Sequence, residues 1–202
     1  MMASIPPNHS YDIWTLLTQL IAGGGLVALI KAISSLVSTY REKAPSLVFK
    51  NMAQIYDELA SLKQVLKCDR IHIVYTSNGG GIPSPGVPIY SSVLYEAASD
   101  TLQPVKEKFQ RLLLDQSYSK MMESLVVSGI WAAKINEMER GFFKDACQAN
   151  GIVYVCKQKI KVTKDKFYFI SCFWTDPNDV PKTALLQSEM YLSCNKLRGL
   201  LK

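Results

Sequence analysis

The chain has 202 residues, a formal net charge of +6 and 48% hydrophobic residues, which fits one domain with an additional segment. Basic and acidic residues alternate, as in residues 106–108 (KEK), so the charge indicates a mixed surface and argues against nucleic acid as a partner. Two histidines are too few for a multi-histidine metal site and argue against a histidine-based triad. Five cysteines without a Cys-x-x-Cys pair argue against a disulfide framework, so we expect free thiols, no metal and no cofactor.

An apolar segment follows the N-terminal tail of residues 1–12. Residues 13–30 carry no charge, and at about 1.5 Å per residue their helical length approaches the roughly 30 Å of a bilayer core. The sequence therefore predicts a single transmembrane helix over residues 13–38, then a linker over 39–45 and a domain over 46–202. The residues expected to contact lipid or another copy of this helix are Trp14, Gly23, Gly24, Gly25 and Lys31.

The charges that flank the apolar segment predict its orientation. Lys31, Arg41 and Lys43 lie on its C-terminal side and Asp12 precedes it, so the positive-inside rule places residues 46–202 in the cytoplasm. A cleaved signal peptide normally begins with basic residues, which this N-terminus lacks. The alternative that stays open is an amphipathic helix that lies on the membrane or packs against partner chains.

The remaining sequence alternates between helical and strand patterns. Apolar residues spaced three and four apart predict helices, whereas β-branched and aromatic runs predict strands. The predicted elements are a helix over 47–67, strands over 71–76 and 89–96, a long helix over 103–124, a short helix over 139–150, strands over 152–162 and 167–175, and a helix from Pro181 onward. Paired strands with helices between them predict an α+β fold, with an antiparallel sheet and helices packed on one of its faces.

Two parts of the sequence resemble GAF domains. Residues 150–176 (NGIVYVCKQKIKVTKDKFYFISCFWTD) are similar to the closing half of a GAF domain, where a short helix leads into a hairpin with an aromatic last strand. Residues 69–81 (DRIHIVYTSNGGG) and 89–99 (IYSSVLYEAAS) look like the first two strands of GAF-like domains in small membrane-anchored bacterial and bacteriophage proteins. The matching residues are Asn78, Gly79, Gly80, Tyr95 and Glu96. The resemblance implies a sensory module that holds a small molecule between the sheet and covering loops, or that dimerises.

The resemblance implies no particular ligand, because the sequence has neither a cyclic-nucleotide signature nor a cysteine in an evident bilin-attachment context. A pocket is expected near the glycine-rich loop, since consecutive glycines permit positive φ and expose backbone N–H groups. The expected ligand-binding residues are Tyr75, Asn78, Gly79, Gly80, Tyr90, Tyr95 and Glu96. Glu96 has a second interpretation, in which its carboxylate accepts backbone hydrogen bonds from the adjacent loop and is structural.

Three other features have plain structural interpretations. His72 is the one histidine of an apolar strand and is expected to be packed or at the surface rather than catalytic. The aromatic residues that share one face of the strand 167–173 are expected to form the core of a sheet. Lys157, Lys159 and Lys161 predict a solvated strand face, with docking on anionic lipid headgroups as the alternative.

Together these patterns predict a membrane-tethered, non-catalytic GAF-like sensory or adaptor protein that binds a small molecule or a protein partner. The alternative is a structural or assembly protein, such as a virion or phage membrane-associated protein, which self-associates through its apolar N-terminal helix. Membrane lipid and a second copy of the chain are the expected partners besides a small molecule. No catalytic residue is expected. An enzyme would depend on cysteine chemistry, because the five cysteines are the only candidate nucleophiles in the sequence.

Overall fold

The computed structural model describes Thr18, residues 25–78 and residues 86–201. The chain divides into two compact units, residues 1–50 and 51–202. Helix α1 (Gly25–Leu66) contains Pro45, and the predicted linker over residues 39–45 is therefore helical. A proline in the interior of a helix removes one backbone hydrogen bond, and α1 nevertheless continues on both sides of Pro45.

The predicted membrane segment lies largely outside the described residues. Trp14, Gly23 and Gly24 belong to that part of the chain, whereas Gly25 begins α1 and Lys31 lies exposed within it. Among the described helices, none has the length and apolar character that crossing a membrane requires. The helix over residues 13–38 thus stays a prediction.

In the described part of the chain, six strands and three further α-helices follow α1. The strands are β1 (Arg70–Ser77), β2 (Tyr90–Ala98), β3 (Leu112–Leu113), β4 (Ile130–Lys134), β5 (Tyr154–Val162) and β6 (Phe167–Trp174). The helices are α2 (Gln116–Ser128), α3 (Phe142–Ala149) and α4 (Thr183–Leu200), and single 3-10 turns occupy Lys106–Lys108, Ile135–Glu137 and Pro177–Asp179. The predicted strands that correspond to β1, β2, β5 and β6 are confirmed, with ends that differ by one or two residues.

The predicted long helix over residues 103–124 is wrong in its first half. A 3-10 turn and the short strand β3 occupy this half, and α2 begins only after Asp115, whose carboxylate accepts a hydrogen bond from the Tyr118 N–H at 2.8 Å. The apolar residues before Asp115 cover the edge of the sheet instead, where the Val93 N–H donates to the Phe109 carbonyl at 3.0 Å. Packing against the sheet therefore outweighs the helical spacing of this segment.

The strands form one antiparallel sheet in the order β3-β2-β1-β6-β5-β4, which confirms the predicted antiparallel arrangement. β1 and β6 are its central strands, and β6 is buried along its whole length. The turn between β5 and β6 is closed by Thr163, whose hydroxyl accepts the Lys166 N–H at 3.2 Å. This turn sets the register of the predicted hairpin.

Helices α1 and α4 pack on one face of the sheet, which we call the helix-pair face. Trp174 belongs to the core on this face, and its Nε1 donates to the Leu66 carbonyl at 3.1 Å. The buried residues of this face include Ile55, Leu59, Ile71, Ile73, Ile170, Cys172, Met190 and Cys194. All five cysteines are free, as the sequence predicts, and the structure buries each of them.

Helices α2 and α3 pack on the opposite face, which we call the cavity face. Its buried residues include Val74, Val93, Tyr118, Leu125, Phe169, Cys147 and Phe173. The prediction of helices on only one face is therefore wrong. The physical reason is that the central strands are apolar at both odd and even positions, so each face requires its own cover.

Candidate ligand-binding cavity

A cavity lies between the cavity face, helices α2 and α3, and the segment that leads into β3. About 70 Å³ of it is open to the centre of a water-sized sphere. Most of its wall is apolar and includes Val74, Val93, Val105, Phe109 and Phe143. Apolar walls with a small number of convergent polar groups are the usual composition of a ligand site.

Four polar residues lie side by side across the cavity face, one on each of four adjacent strands. The strand register pairs Lys157 of β5 with Ser171 of β6. It also pairs Ser171 with His72 of β1, and His72 with Glu96 of β2. Lys157, Ser171 and His72 are 1%, 0% and 6% exposed, and the Glu96 side chain is 6% exposed. We call these four residues the polar row.

Lys157 begins the polar row in an aromatic surrounding. Its Nζ lies 4.0 Å from the ring centroid of Phe143, 4.8 Å from that of Tyr118 and 5.1 Å from that of Phe169. Within the described residues its one hydrogen bond goes to the Tyr118 hydroxyl at 3.3 Å, and no carboxylate lies within 4.0 Å. Three aromatic rings stabilise an ammonium only in part. Among the described residues, this buried cation has no counter-charge that would supply the remainder.

The cavity changes the acidity of its titratable groups. Burial lowers the pKa of Lys157 from its usual 10.5 to about 7 and outweighs the opposing effect of Cys147. Burial also raises the pKa of the Cys147 thiol to about 11 and raises the pKa of the Tyr118 hydroxyl. Thiol and hydroxyl therefore stay protonated at neutral pH and supply no negative charge to the lysine.

Ser171 occupies the second position of the polar row, between Lys157 and His72. Its Oγ is buried and has no hydrogen-bond partner among the described residues. A buried hydroxyl without a hydrogen-bond partner destabilises the folded state by roughly 1–3 kcal/mol. A bound molecule that hydrogen-bonds to this hydroxyl would remove that penalty. Lys157 and Ser171 therefore form the end of the polar row at which hydrogen-bonding groups are left unsatisfied.

Glu96 lies at the other end of the polar row, and both oxygens of its carboxylate have hydrogen-bond or ion-pair partners. It lies 3.3 Å from His72 Nε2 and 3.2 Å from Arg70 Nε, and it accepts the N–H groups of Val105 and Lys106 at 2.8–3.1 Å. Burial would raise the pKa of Glu96, but the hydrogen bonds from His72 and the backbone outweigh it and lower that pKa to about 2. Burial lowers the pKa of His72, so its ring is neutral at pH 7 and donates from Nε2.

The Arg70 guanidinium is held at the same end. Its Nη2 donates to the Gln103 carbonyl at 2.8 Å. Its Nε lies at ion-pair distance from Glu96, but the direction does not suit a hydrogen bond. The charges of Arg70 and Glu96 therefore compensate each other.

Asp115 also borders the cavity, but its carboxylate is committed to the helix ends. It accepts the Tyr118 N–H and the Ser117 hydroxyl at the start of α2, and the Phe142 N–H at the start of α3, each at 2.8 Å. These hydrogen bonds outweigh burial and lower the pKa of Asp115. A carboxylate shared by two helix N-termini fixes the relative position of the helices that cover the cavity.

The structure distributes the sequence-predicted site residues over several surroundings. Tyr75 and Tyr95 pack on the helix-pair face, where Tyr95 meets Tyr56 edge-on at 5.4 Å. Tyr90 lies under the Arg111 guanidinium at 5.4 Å, and Asn78 follows the end of β1. None of these four lines the cavity. Gly79 and Gly80 lie outside the described residues.

Glu96 has the structural role that was its second interpretation, although the loop it caps begins at Val105 rather than after β1. His72 is packed, as expected. The predicted solvated face of β5 is wrong at Lys157, which is buried, whereas Lys159 and Lys161 are partly exposed. Lys159 donates to the Val126 carbonyl at 3.0 Å, and Lys161 donates to the Leu201 carbonyl.

Sequence reasoning missed Lys157 and Ser171 as site residues, although a signal was present. The expected aromatic core face of β6 contains Ser171 between Phe169 and Phe173. Since antiparallel partners point to the same side of a sheet, the residue opposite Ser171 is also buried. That residue is Lys157. A lysine predicted opposite the one serine of an aromatic strand therefore marks the site.

Comparisons with known proteins identify the fold. No protein-family profile and no curated protein sequence matches the chain. The red/green cyanobacteriochrome NpR6012g4, in its red-light-absorbing state, is 10% identical with a TM-score of 0.55 over 73% of this chain and 91% of that one. The PixJ GAF domain of Thermosynechococcus elongatus, in its blue-light-absorbing form, is 12% identical with a TM-score of 0.53 over 77% and 89%.

A phycocyanobilin-bound GAF domain from a cyanobacterial phytochrome is similar as well, with 14% identity and a TM-score of 0.50 over 77% of this chain and 91% of that one. Each alignment covers most of the neighbour, so the likeness extends over a whole GAF domain. At such low identity the likeness concerns the backbone and not the ligand. The chain therefore has a GAF-like α+β fold.

Proposed function

We propose that this chain is a non-catalytic sensory module that binds a small organic molecule in the cavity between the cavity face, α2 and α3. The observation that carries the proposal is Lys157, a fully buried cation that faces a cavity and has no carboxylate partner among the described residues. Leaving a charge uncompensated in the interior costs several kcal/mol, so such a residue is retained for function more often than for stability.

The size of the cavity separates its ligand from that of the structural neighbours. One of these carries phycocyanobilin, a chain of four pyrrole rings. An apolar cavity of about 150 Å³ accommodates one benzene ring. The roughly 70 Å³ found here is smaller, so the ligand we propose is a much smaller molecule than a bilin.

The chemistry of the cavity supports binding rather than catalysis. The thiol that lines the cavity is that of Cys147, and its raised pKa keeps it protonated and a poor nucleophile. Asp115, which lines the cavity, and Glu96 of the polar row are committed to backbone N–H groups and are not free to act as general bases. In the part of the chain that the structure describes, no group of three metal-ligating side chains comes together.

Native mass spectrometry of the full chain, extracted mildly from its source cells, tests this proposal. We expect a reproducible small-molecule adduct on the wild type and on Lys164→Met, which removes an exposed lysine of the β5–β6 turn. We expect no adduct on Lys157→Met, because the apolar replacement removes the group that binds the ligand. Adduct-free wild-type protein from every preparation, or an adduct that survives Lys157→Met, would count against the cavity as the site.

We also propose that the apolar residues 13–38 tether the module to a membrane, with residues 46–202 in the cytoplasm. The supporting observations are the uncharged run of residues 13–30 and the basic residues that follow it. Carbonate extraction of membranes should leave the full chain in the pellet and release a variant that lacks residues 1–40. Release of the full chain would favour a helix that lies on the surface or binds a partner, as in an assembly protein that associates through Gly23 to Gly25.

A further inference from the structure

We infer that the ligand of the cavity is a small monocarboxylic acid, whose carboxylate binds Lys157 Nζ and Ser171 Oγ and whose short hydrocarbon body lies against the apolar wall. This inference rests on the proposed function and specifies the chemical class of the ligand. It follows from the charges, the unsatisfied donors and the volume of the cavity.

The formal charges around the cavity sum to zero, since Glu96 and Asp115 balance two cations, but one of those cations has no ion-pair partner among the described residues. Arg70 is compensated by Glu96, and His72 is neutral because burial lowers its pKa. Asp115 is negative, but three donors at the helix N-termini surround its carboxylate. Lys157 is thus the cation that lacks an ion-pair partner. A ligand with one negative charge neutralises it without leaving a second buried ion.

The two donors that are not fully hydrogen-bonded match the two oxygens of a carboxylate in number, and both residues line the same cavity. Lys157 and Ser171 are direct cross-strand partners on the same face, which places their Cβ atoms roughly 4.5–5.5 Å apart. Lys157 Nζ is bonded only to a hydroxyl, and Ser171 Oγ is unbonded among the described residues. One carboxylate oxygen can accept from the ammonium and the other from the hydroxyl, so both groups become satisfied at once.

Alternative ligand classes fit less well. A phosphate or sulfate ester carries up to two negative charges and more acceptor oxygens than these two donors satisfy. A neutral amide or alcohol leaves the ammonium without a counter-charge. A short aliphatic acid matches the single charge, and its small hydrocarbon body suits the apolar residues Val74, Val93 and Phe143 and the limited volume of about 70 Å³.

The aromatic rings explain how the cavity exists before the acid binds. The rings of Phe143, Tyr118 and Phe169 surround the Nζ atom and provide part of the stabilisation that water gave in the unfolded chain. With a pKa of about 7, the empty site loses its proton readily above neutral pH. Binding of a carboxylate restores the ammonium, so the acid should bind together with a proton at alkaline pH.

The test compares acids with their neutral isosteres on the full chain. The probes are acetate, propionate and butyrate, each paired with its primary amide at the same concentration. Thermal unfolding and isothermal titration are measured for the wild type, Lys157→Met, Ser171→Ala and the control Lys164→Met. We expect at least one acid to raise the Tm of the wild type and of Lys164→Met, while its amide leaves the Tm unchanged.

We expect Lys157→Met to weaken binding of that acid about tenfold or more, because the charge-assisted hydrogen bond is lost. Ser171→Ala removes the hydrogen bond from the uncharged donor and leaves the ammonium in place, so we expect a smaller weakening, roughly threefold to tenfold, in a protein that folds normally. Titration at pH 8.5 in phosphate and in Tris should show uptake of close to one proton. The other groups that face Lys157 do not account for this uptake, because Tyr118 and Cys147 stay protonated and Arg70 stays paired with Glu96.

Several outcomes would overturn the inference. Equal effects of acid and amide would show an apolar site without charge recognition, and unchanged acid binding in Lys157→Met would place the acid elsewhere. No Tm change with any of the three acids would exclude short monocarboxylates. Capture of butanal on Lys157 after borohydride reduction, without acid binding, would instead identify a carbonyl ligand. In each case the native adduct described above decides separately whether the cavity binds a ligand at all.

Discussion

The ammonium group of Lys157 is the least expected charge in this protein, because lysine is seldom buried without a partner. The pKa near 7 means that the unfolded chain holds this proton more tightly than the folded protein does. Stability of the wild type should therefore rise as the pH increases from about 7 to 10.5, and the full penalty should apply below pH 7. The cost of a ligand-binding residue is thus measurable without its ligand.

Lys157→Met should increase the stability of the ligand-free protein. The side chains are similar in length, and the substitution removes a penalty on the order of 3–5 kcal/mol that corresponds to the lowered pKa. Denaturant unfolding at pH 6 and pH 10 measures the effect, which should be largest at pH 6 and small at pH 10. Lys164→Met, at an exposed position, should change little at either pH. A Lys157→Met variant that is less stable than the wild type at pH 6 would contradict a buried unpaired ammonium.

Glu96→Gln should have the opposite effect on stability. The wild-type carboxylate, with a pKa near 2, stabilises the fold above about pH 4.5, and this contribution is lost as the pH falls toward 2. We expect a loss of about 2–4 kcal/mol at pH 7, because Arg70 keeps its charge without a partner.

Unfolding of Glu96→Gln at pH 7 and pH 3 checks this expectation, since the difference from the wild type should be smaller at pH 3. Glu139→Gln is the matched control, because Glu139 forms an exposed ion pair with Lys120 and should contribute less than about 1 kcal/mol. A similar loss for both variants would show that burial does not distinguish the two carboxylates.

At the scale of elements, the position of α3 over the cavity depends on a contact between two helix starts. Asp115 binds both N-termini, and Gly141 lies directly against it. A Cβ atom at residue 141 would lie 2.8 Å from the Asp115 carboxylate and closer still to the Ser117 hydroxyl. The absence of a side chain at Gly141 is therefore a steric requirement, since its φ of 168° suits any residue.

Gly141→Ala should displace the start of α3 and destabilise the protein by roughly 1–3 kcal/mol, the usual cost of overpacking. Gly199→Ala is a control of the opposite sign. Gly199 lies exposed in α4 with open space around its Cβ position, so alanine should stabilise the helix by about 0.5–1 kcal/mol. Thermal unfolding of both variants gives the comparison, and equal stability of Gly141→Ala and wild type would show that α3 moves freely.

The elements that sequence reasoning predicted best are those with one unambiguous pattern. β5 and β6 are runs rich in β-branched and aromatic residues that are joined by a tight turn, so their pairing follows from the sequence. The segment before Asp115 failed because its helical spacing was real, yet the edge of the sheet offered those apolar residues a better contact. Local pattern cannot weigh a contact with a strand that is distant in sequence.

At the scale of the whole molecule, the GAF-like fold was predictable and the site was only partly so. The strand order and the second helical layer depend on which face each strand buries, and this is ambiguous where both faces are apolar. The tyrosines expected at a pocket, Tyr75 and Tyr95, lie on the helix-pair face because each shares its side of the sheet with Ile73. The polar row was hidden because its members come from four strands that are separate in sequence.

The alternation of the two faces along the central strands has a consequence for how such proteins diverge. In β1 and β6, each residue that borders the cavity is followed by one that contacts the helix pair, as in Ile71, His72 and Ile73. Selection for a new ligand would act on every second position, while the positions between them would stay constrained by α1 and α4. Relatives with other ligands should therefore differ from this chain with a period of two along these strands, and that rhythm would identify the cavity from sequences alone.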